Sequence, residues 1–389
     1  MAQGTLTSDT PDPRKDARLS MRPFYVTPQF ELRNLGVDTN VFNSPTNPVK
    51  DATLDAIPSA TIWVPMARRG LVTTFVQADF AYFQKSRSAR SIDPTVIVRG
   101  DLYGRHVTFF AQGSYILARQ RPNEEIDARS RRVETSPSAG MAVRLGSRTS
   151  VSVTGFTQRL RYDQDAVFLG SSLSQTLNRD VSGVSVVAKR QLTSMTKFTM
   201  TAEGQRDRFT ASPDRNADSL RLAPGFEFSP RALISGTAEV GVRQFKTKNT
   251  ALADYTGVVA SAGLTYRLHT ATEFSFDWDR DVTYSYDPQR PYYVGNTLGA
   301  QISRQIHGRF DAAVSASRTT NQYRTFDPAV AAGGTDTVTS YSANVGYRMN
   351  RHLRVAVGGA TSRRRSGTGS LRDYRGTRAG LSIVYNPTR

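Results

Sequence analysis

Apolar and polar residues alternate one by one along most of the chain. The alternation runs in segments of about a dozen residues, broken by turns that are short, then long, then short again. The clearest unit begins Tyr341, Ser342, Ala343, Asn344, Val345, Gly346, Tyr347, Arg348, Met349. It turns at Asn350, Arg351 and His352 and continues Leu353, Arg354, Val355, Ala356, Val357, Gly358, Gly359. One parity is aromatic or aliphatic and the other is small, polar or charged. A period of two places these sets on opposite faces of a strand. Strands of this length, repeated from end to end, predict a transmembrane antiparallel β-barrel with an outward apolar band and a wet interior.

The punctuation sets a sidedness. Short turns are predicted near 65–70, 103–106, 146–149, 192–196, 229–232, 269–272, 306–309 and 349–352. Longer connections, rich in Pro, Asp, Asn and Gly, are predicted near 85–93, 120–135, 164–178, 211–217, 248–254, 285–293, 326–335 and 366–371. In a bacterial barrel the short turns are periplasmic and the long loops extracellular. The first strand is expected from Phe24 to about Leu35, followed by a long loop over 36–54. Counting between connections gives about 18 strands, within a range of 16–18, and the hairpins around 165–215 are the least regular. Residues 1–22, with Pro11, Pro13 and a mixed charge cluster at 14–18, read as a flexible periplasmic arm, and 23–389 as one barrel.

Composition narrows the alternatives. No stretch approaches 18 uninterrupted apolar residues, so no membrane helix is expected. There is no cysteine, which removes disulfides and thiolate chemistry. The first residues lack a basic segment followed by an apolar one, so an outer-membrane protein of this sequence is expected to be a mature form after signal-peptide removal. A cytosolic protein is the competing reading. The net charge of +18 comes from 51 basic residues, of which only seven are lysines. The arginines are dispersed, with Arg363, Arg364 and Arg365 the one short run, and no basic helix accompanies them. Nucleic acid is therefore not an expected partner. Pore lining, or contact with lipid phosphates at a rim, suits dispersed arginine better.

Tyr266, Phe274, Phe276, Trp278, Phe226, Phe228 and Tyr347 lie on the apolar parity, most of them beside short turns, as an interfacial girdle would. The opposite parity carries Arg99, Asp101, Arg144, Lys189, Arg221, Glu227, Glu239, Arg243, Arg267, Asp277, Asp279, Arg348, Arg354 and Arg378. An Arg or Lys facing lipid at mid-depth would cost about 2–4 kcal/mol, so this set is expected to line the lumen. Two uses stay open: pairing that cross-links the inner wall, or a positive surplus that favours anions.

Catalytic chemistry is sparse. His106, His269, His307 and His352 each fall in or beside a different short turn and cannot converge on one metal. No nucleophile elbow, zinc-protease, P-loop or dinucleotide motif stands in a usable context. Asp277, Asp279 and Asp281 form a carboxylate row that could hold a cation or serve acid–base chemistry, and pairing with arginines is the preferred reading. No cofactor, metal or enzymatic activity is expected.

The segment Leu35, Gly36, Val37, Asp38, Thr39, Asn40, Val41, Phe42, Asn43 resembles the G-x-D-[ST]-N-[VI]-[FY] signature of the putative β-barrel porin 2 family. The strand rhythm is similar from there to the C-terminus. The resemblance implies an outer-membrane barrel, often tied to exopolysaccharide export, with no established catalytic residues. In the motif, Asp38 and Asn40 can cap turn backbone and Gly36 permits a positive φ. The expected terminal aromatic is represented by Tyr385, with four residues following.

Three functions follow. The first is an exopolysaccharide exit conduit, with polysaccharide and periplasmic export components as partners beside outer-membrane lipid and lipopolysaccharide. Tyr284, Tyr286, Tyr292 and Tyr293 would then stack on sugars at the mouth or stand in the outer girdle. The second is a general anion-preferring diffusion porin. The third is a plugged adhesive barrel acting through its loops.

Overall fold

The structure is a computed structural model that describes residues 17–66, 69–269, 271–325, 334–367 and 372–385. Eighteen strands close into one antiparallel barrel. The first, Phe24–Asp38, pairs with the second, Asp51–Met66, and with the last, Tyr374–Tyr385, so the sheet keeps no free edge. Between them, in chain order, run Gly70–Phe83, Ser91–Tyr103, Val107–Ala118, a sixth strand in two pieces, Thr149–Tyr162, Arg179–Gln191, Thr196–Phe209 and Ala217–Phe228. The circuit continues with Ile234–Thr247, Tyr255–Leu268, Thr272–Tyr284, Tyr292–His307, Phe310–Arg324, Thr335–Arg348 and Leu353–Ser366. The sixth strand breaks into Arg132–Thr135 and Ser138–Arg144 around Pro137, which has no N–H to give to the ladder. Both pieces pair with the same two neighbours.

The alternation sorts the wall as a membrane barrel requires. Val184, Leu220, Val314 and Val357 are 51–61% exposed on the outward parity. Apolar surface on this scale is stable in lipid rather than water. Rings gather outward at the short-turn rim, where Phe310 and Tyr347 lie 4.9 Å apart, Phe198 and Phe226 5.8 Å, and Tyr266 and Phe274 6.1 Å. The four histidine positions lie at this same rim, in or beside separate short turns.

Three local readings change. The first strand continues through Gly36 to Asp38, and the second begins at Asp51, so the connection is shorter than 36–54. A bulge at 33–36 absorbs one irregularity, with Asn34 taking φ 53°. Gly36 is not in the left-handed region; it is needed because a Cβ there would lie 2.0 Å from the Ala379 carbonyl oxygen. The arm expected over 1–22 falls mostly on residues 1–16, outside the described residues, while Leu19–Met21 pairs with Phe24–Val26. The residues after Tyr385 and most of the 326–335 connection also lie outside the described residues.

Candidate functional site

Loop 119–131 leaves the rim between the fifth and sixth strands and folds across the lumen. Asn123 starts its tight turn, its Oδ1 accepting the N–H groups of Glu125 and Ile126 at 2.9 Å each. Ile126, 1% exposed, packs with Leu160, Tyr162, Phe168, Leu173, Leu177 and Tyr286. The short helix Leu173–Leu177 and the two-stranded turn at 167–172 belong to this plug and account for the irregular pattern seen there in sequence.

The far wall fastens the loop. Arg364, on the inner parity of its strand, is fully buried. Its Nη1 donates to the Glu124 and Glu125 carbonyls at 2.9 and 3.2 Å and to Asp127 at 2.9 Å, while Nη2 donates to Asp336. Arg372 donates to the Glu125 carbonyl at 2.6 Å, to Asp336 at 2.9 Å and to the Tyr323 hydroxyl at 3.2 Å. Buried guanidiniums are stable only when their donors are taken up this way. The Glu125 side chain, 0% exposed, accepts from the Ser285 hydroxyl at 2.6 Å. Burial pushes its carboxyl up to about 7, against the pull of Ser285 and Arg372.

A second element leaves the wall to meet the loop. Pairing between the twelfth and thirteenth strands stops at Ala260 opposite Arg280, yet the following hairpin stays paired up to Tyr284 opposite Tyr292. Both faces of this tip are buried. Tyr292 and Val294 pack with Ala217, Phe245 and Tyr255, and Tyr293 receives the Asn123 amide at 3.4 Å. The tip therefore bends inward over the mouth. Arg215, 4% exposed, ties it down by donating to the carbonyls of Ser285 and Pro291 at 2.7 and 3.1 Å and to that of Thr176. Tyr284, Tyr286, Tyr292 and Tyr293 are thus plug packing, neither an outer girdle nor open sugar platforms. The parity of Tyr284 and Tyr292 alone pointed outward, and the bend of the tip reverses it; Tyr293 stands on the inner parity and Tyr286 in the connection between the two strands.

Beside the loop a recess of about 300 Å³ is lined by Arg121, Asn123, Glu124, Ser362, Tyr374 and Arg378 among others. Arg121 donates to the Val41 carbonyl at 2.6 Å and to that of Asp127 at 2.8 Å. Burial, and then Arg378, lowers its pKa. Arg129 is held down to about 10 by burial and by Arg121 and Arg378. Three guanidiniums are therefore within electrostatic reach of one another, with Asp38, Asp127 and Glu124 as the facing acids.

The model of the Putative beta-barrel porin 2 family matches residues 21–386. The chain belongs to this family. No curated protein matches it. Among solved structures, Pseudomonas aeruginosa OpdK with vanillate is similar at 11% identity and TM-score 0.51, covering 94% of this chain and 99% of that one. OccK2 (OpdF) from the same organism, in complex with glucuronate, matches at 11% and 0.51, covering 93% and 98%. Acinetobacter baumannii OccAB3 matches at 11% and 0.52, covering 94% and 99%. At this identity the likeness is one of fold.

In this porin the family motif closes the barrel seam. Asp38 accepts from the Asn40 N–H at 2.8 Å and from Arg378 Nε at 2.8 Å. Asn40 donates to the carbonyls of Ser44 and Arg375 at 2.9 and 3.1 Å, joining the first loop to the last strand. Phe42 is exposed. The fourteen charged residues expected along the lumen do not converge on one point; they are spread around the wall, and eleven are in ion pairs. Arg99 pairs with Asp101, Lys189 with Glu227, Arg221 with Glu239, Arg243 with Glu203 and Asp281, Arg267 with Glu273, Arg348 and Arg354 with Asp311, and Arg378 with Asp38. Arg144, Asp277 and Asp279 have no ion pair among the described residues. Of the carboxylate row only Asp281 pairs with an arginine, and no described cluster of three or more His, Asp or Glu is placed to hold a metal.

Sequence reasoning missed the plug residues Arg121, Glu125, Arg215 and Arg372. One signal was present. In the run Arg363, Arg364, Arg365, parity puts only the middle residue on the inner face.

Proposed function

We propose that this outer-membrane porin is a passive diffusion pore for small solutes, with a preference for anions set at the constriction, and that it makes and breaks no covalent bond. The observation that carries the reading is loop 119–131, fastened across the lumen by Arg364 and Arg372. A polymer strand would have to displace this buried network, whereas a small solute need only pass beside it. The exopolysaccharide conduit expected from the resemblance has no support in this geometry. Selectivity is assigned to Arg121, Arg129 and Arg378, because these guanidiniums cluster beside the loop with only Arg378 in an ion pair, to Asp38, whereas the cations spread along the wider inner wall are largely paired and contribute little net field. Similar barrels are described with vanillate and with glucuronate, and a guanidinium fork can hold a carboxylate by two parallel hydrogen bonds.

Purified protein in a planar bilayer should give ohmic steps, and a salt gradient should give a reversal potential of anion sign. Arg121→Gln with Arg378→Gln should shift that potential toward zero. Silence, or an unshifted potential, would sink the proposal. Deleting the gene should leave surface polysaccharide intact.

A further inference from the structure

The excess of positive charge is not on the inner wall, where most of the expected lining cations have acids. Part of it lies outside. Register aligns Arg318 with Thr339, Thr339 with Arg363, and Arg363 with Arg375, one transverse row on four neighbouring strands. Directly opposed residues share a face, and this face is the outward one: the rows below read Ala316, Tyr341, Thr361, Thr377, and further down Ala312, Val345, Val357, Leu381. Arg365 stands one step above Arg363, opposite Thr337. All four arginines are exposed, and none has a side-chain hydrogen bond or ion pair among the described residues. The nearest acid in sequence, Asp373, takes up the Ser366 N–H at 2.6 Å.

Height and spacing identify what belongs there. From Phe310 in the short-turn girdle to Arg318 is eight residues, roughly 27 Å along the strand and about 20 Å along the membrane normal at the usual tilt. That puts the row near the upper edge of the apolar band, at headgroup level. Arg363 and Arg375 are on adjacent strands, about 5 Å apart, and Arg318 is about 10 Å from Arg363. Four like charges without acids repel one another unless an anion joins them, and guanidiniums bind phosphate oxygens bidentately. A phosphate reaching this outward face comes from the membrane rather than from the lumen.

We propose that Arg318, Arg363, Arg365 and Arg375 form a binding site for a lipid that carries two phosphate groups, in the leaflet on the long-loop side. The site is separate from the constriction, so solute passage does not depend on it. The test uses the full-length protein in neutral detergent, titrated with diphosphoryl lipid A, with monophosphoryl lipid A and with inorganic phosphate. The diphosphorylated lipid should bind tightest, and Arg363→Gln with Arg375→Gln should weaken it about tenfold or more, as loss of a charge-assisted contact does. Arg363→Lys should restore part of the loss. Arg206→Gln, an exposed arginine on another strand, should leave binding unchanged. Heat-modifiable migration confirms that each variant is folded. Equal binding by the double variant, equal loss in Arg206→Gln, or inorganic phosphate binding as well as the lipid would each overturn the proposal. Conductance steps should be the same in all these variants, which keeps this test apart from that of the pore.

Discussion

Arg364 and Asp336, on neighbouring strands, form a fully buried ion pair, and the same guanidinium reaches across the lumen to the backbone of loop 119–131. Breaking a buried pair by removing one partner costs about 3–5 kcal/mol, because the other charge is left without compensation. Here much of that cost should fall on the loop, since the barrel ladder does not depend on it. Arg364→Ala is expected to give larger conductance steps and faster proteolysis within 119–131, with heat-modifiable migration retained. Unchanged steps and protease resistance would show that the loop is held by other contacts.

The seat of Glu125 makes the plug sensitive to pH. Its carboxyl ionises near 4.5 in a released loop and near 7 when seated, facing Ser285, Arg372, Tyr323 and Tyr286. Below about 4.5 both states are protonated and the seat carries no penalty. As pH rises the released loop loses its proton first, so seating weakens, by on the order of 3 kcal/mol once pH exceeds about 7. Open probability should therefore rise between pH 5 and pH 8. Glu125→Gln should flatten that profile; a variant with the same slope as the parent would rule this residue out.

Gly36 decides whether the first and last strands can meet. A Cβ there would lie 2.0 Å from the Ala379 carbonyl oxygen and 2.5 Å from Gly380 Cα, both backbone atoms that cannot step aside. Gly36→Ala should lower the yield of folded, heat-modifiable barrel. Gly100→Ala, where nothing lies within 4 Å, should have no effect and serves as the control.

Asp277 faces the lumen between Gly263 and Gly299, and Asp279 between Ser261 and Thr297, neither with an ion-pair partner among the described residues. Removing both charges should increase anion selectivity, by about twofold in the permeability ratio at low salt and less at high salt. Glu227 differs, since it holds Lys189 at 2.6 Å and Lys197 at 2.9 Å. Glu227→Gln should increase anion selectivity and also lower thermal stability. A stability loss in Asp277→Asn of similar size would contradict the assignment of that residue as unpaired.

The inner and outer faces were legible because each residue's face follows from its neighbours one and two positions away. Val345 and Arg348, or Val357 and Arg354, declare opposite faces by parity alone. The same logic located the turns, and it placed Lys189, Glu227 and Glu239 where cross-strand partners could meet them. It failed at Tyr284 and Tyr292, where the hairpin leaves the wall and parity no longer tells lipid from lumen. It also gave no account of loop 119–131, which has no periodic pattern to read.

The sequence by itself determined a barrel of 16–18 strands with a basic surplus and short turns on one rim, since local periodicity and turn chemistry suffice for each. The tertiary structure alone decided that the mouth is narrowed and which arginines narrow it. Arg364 lies 237 residues from Asp127 and 239 from the Glu125 carbonyl. Contacts across that span exist only after closure brings opposite walls together, and no local pattern encodes them.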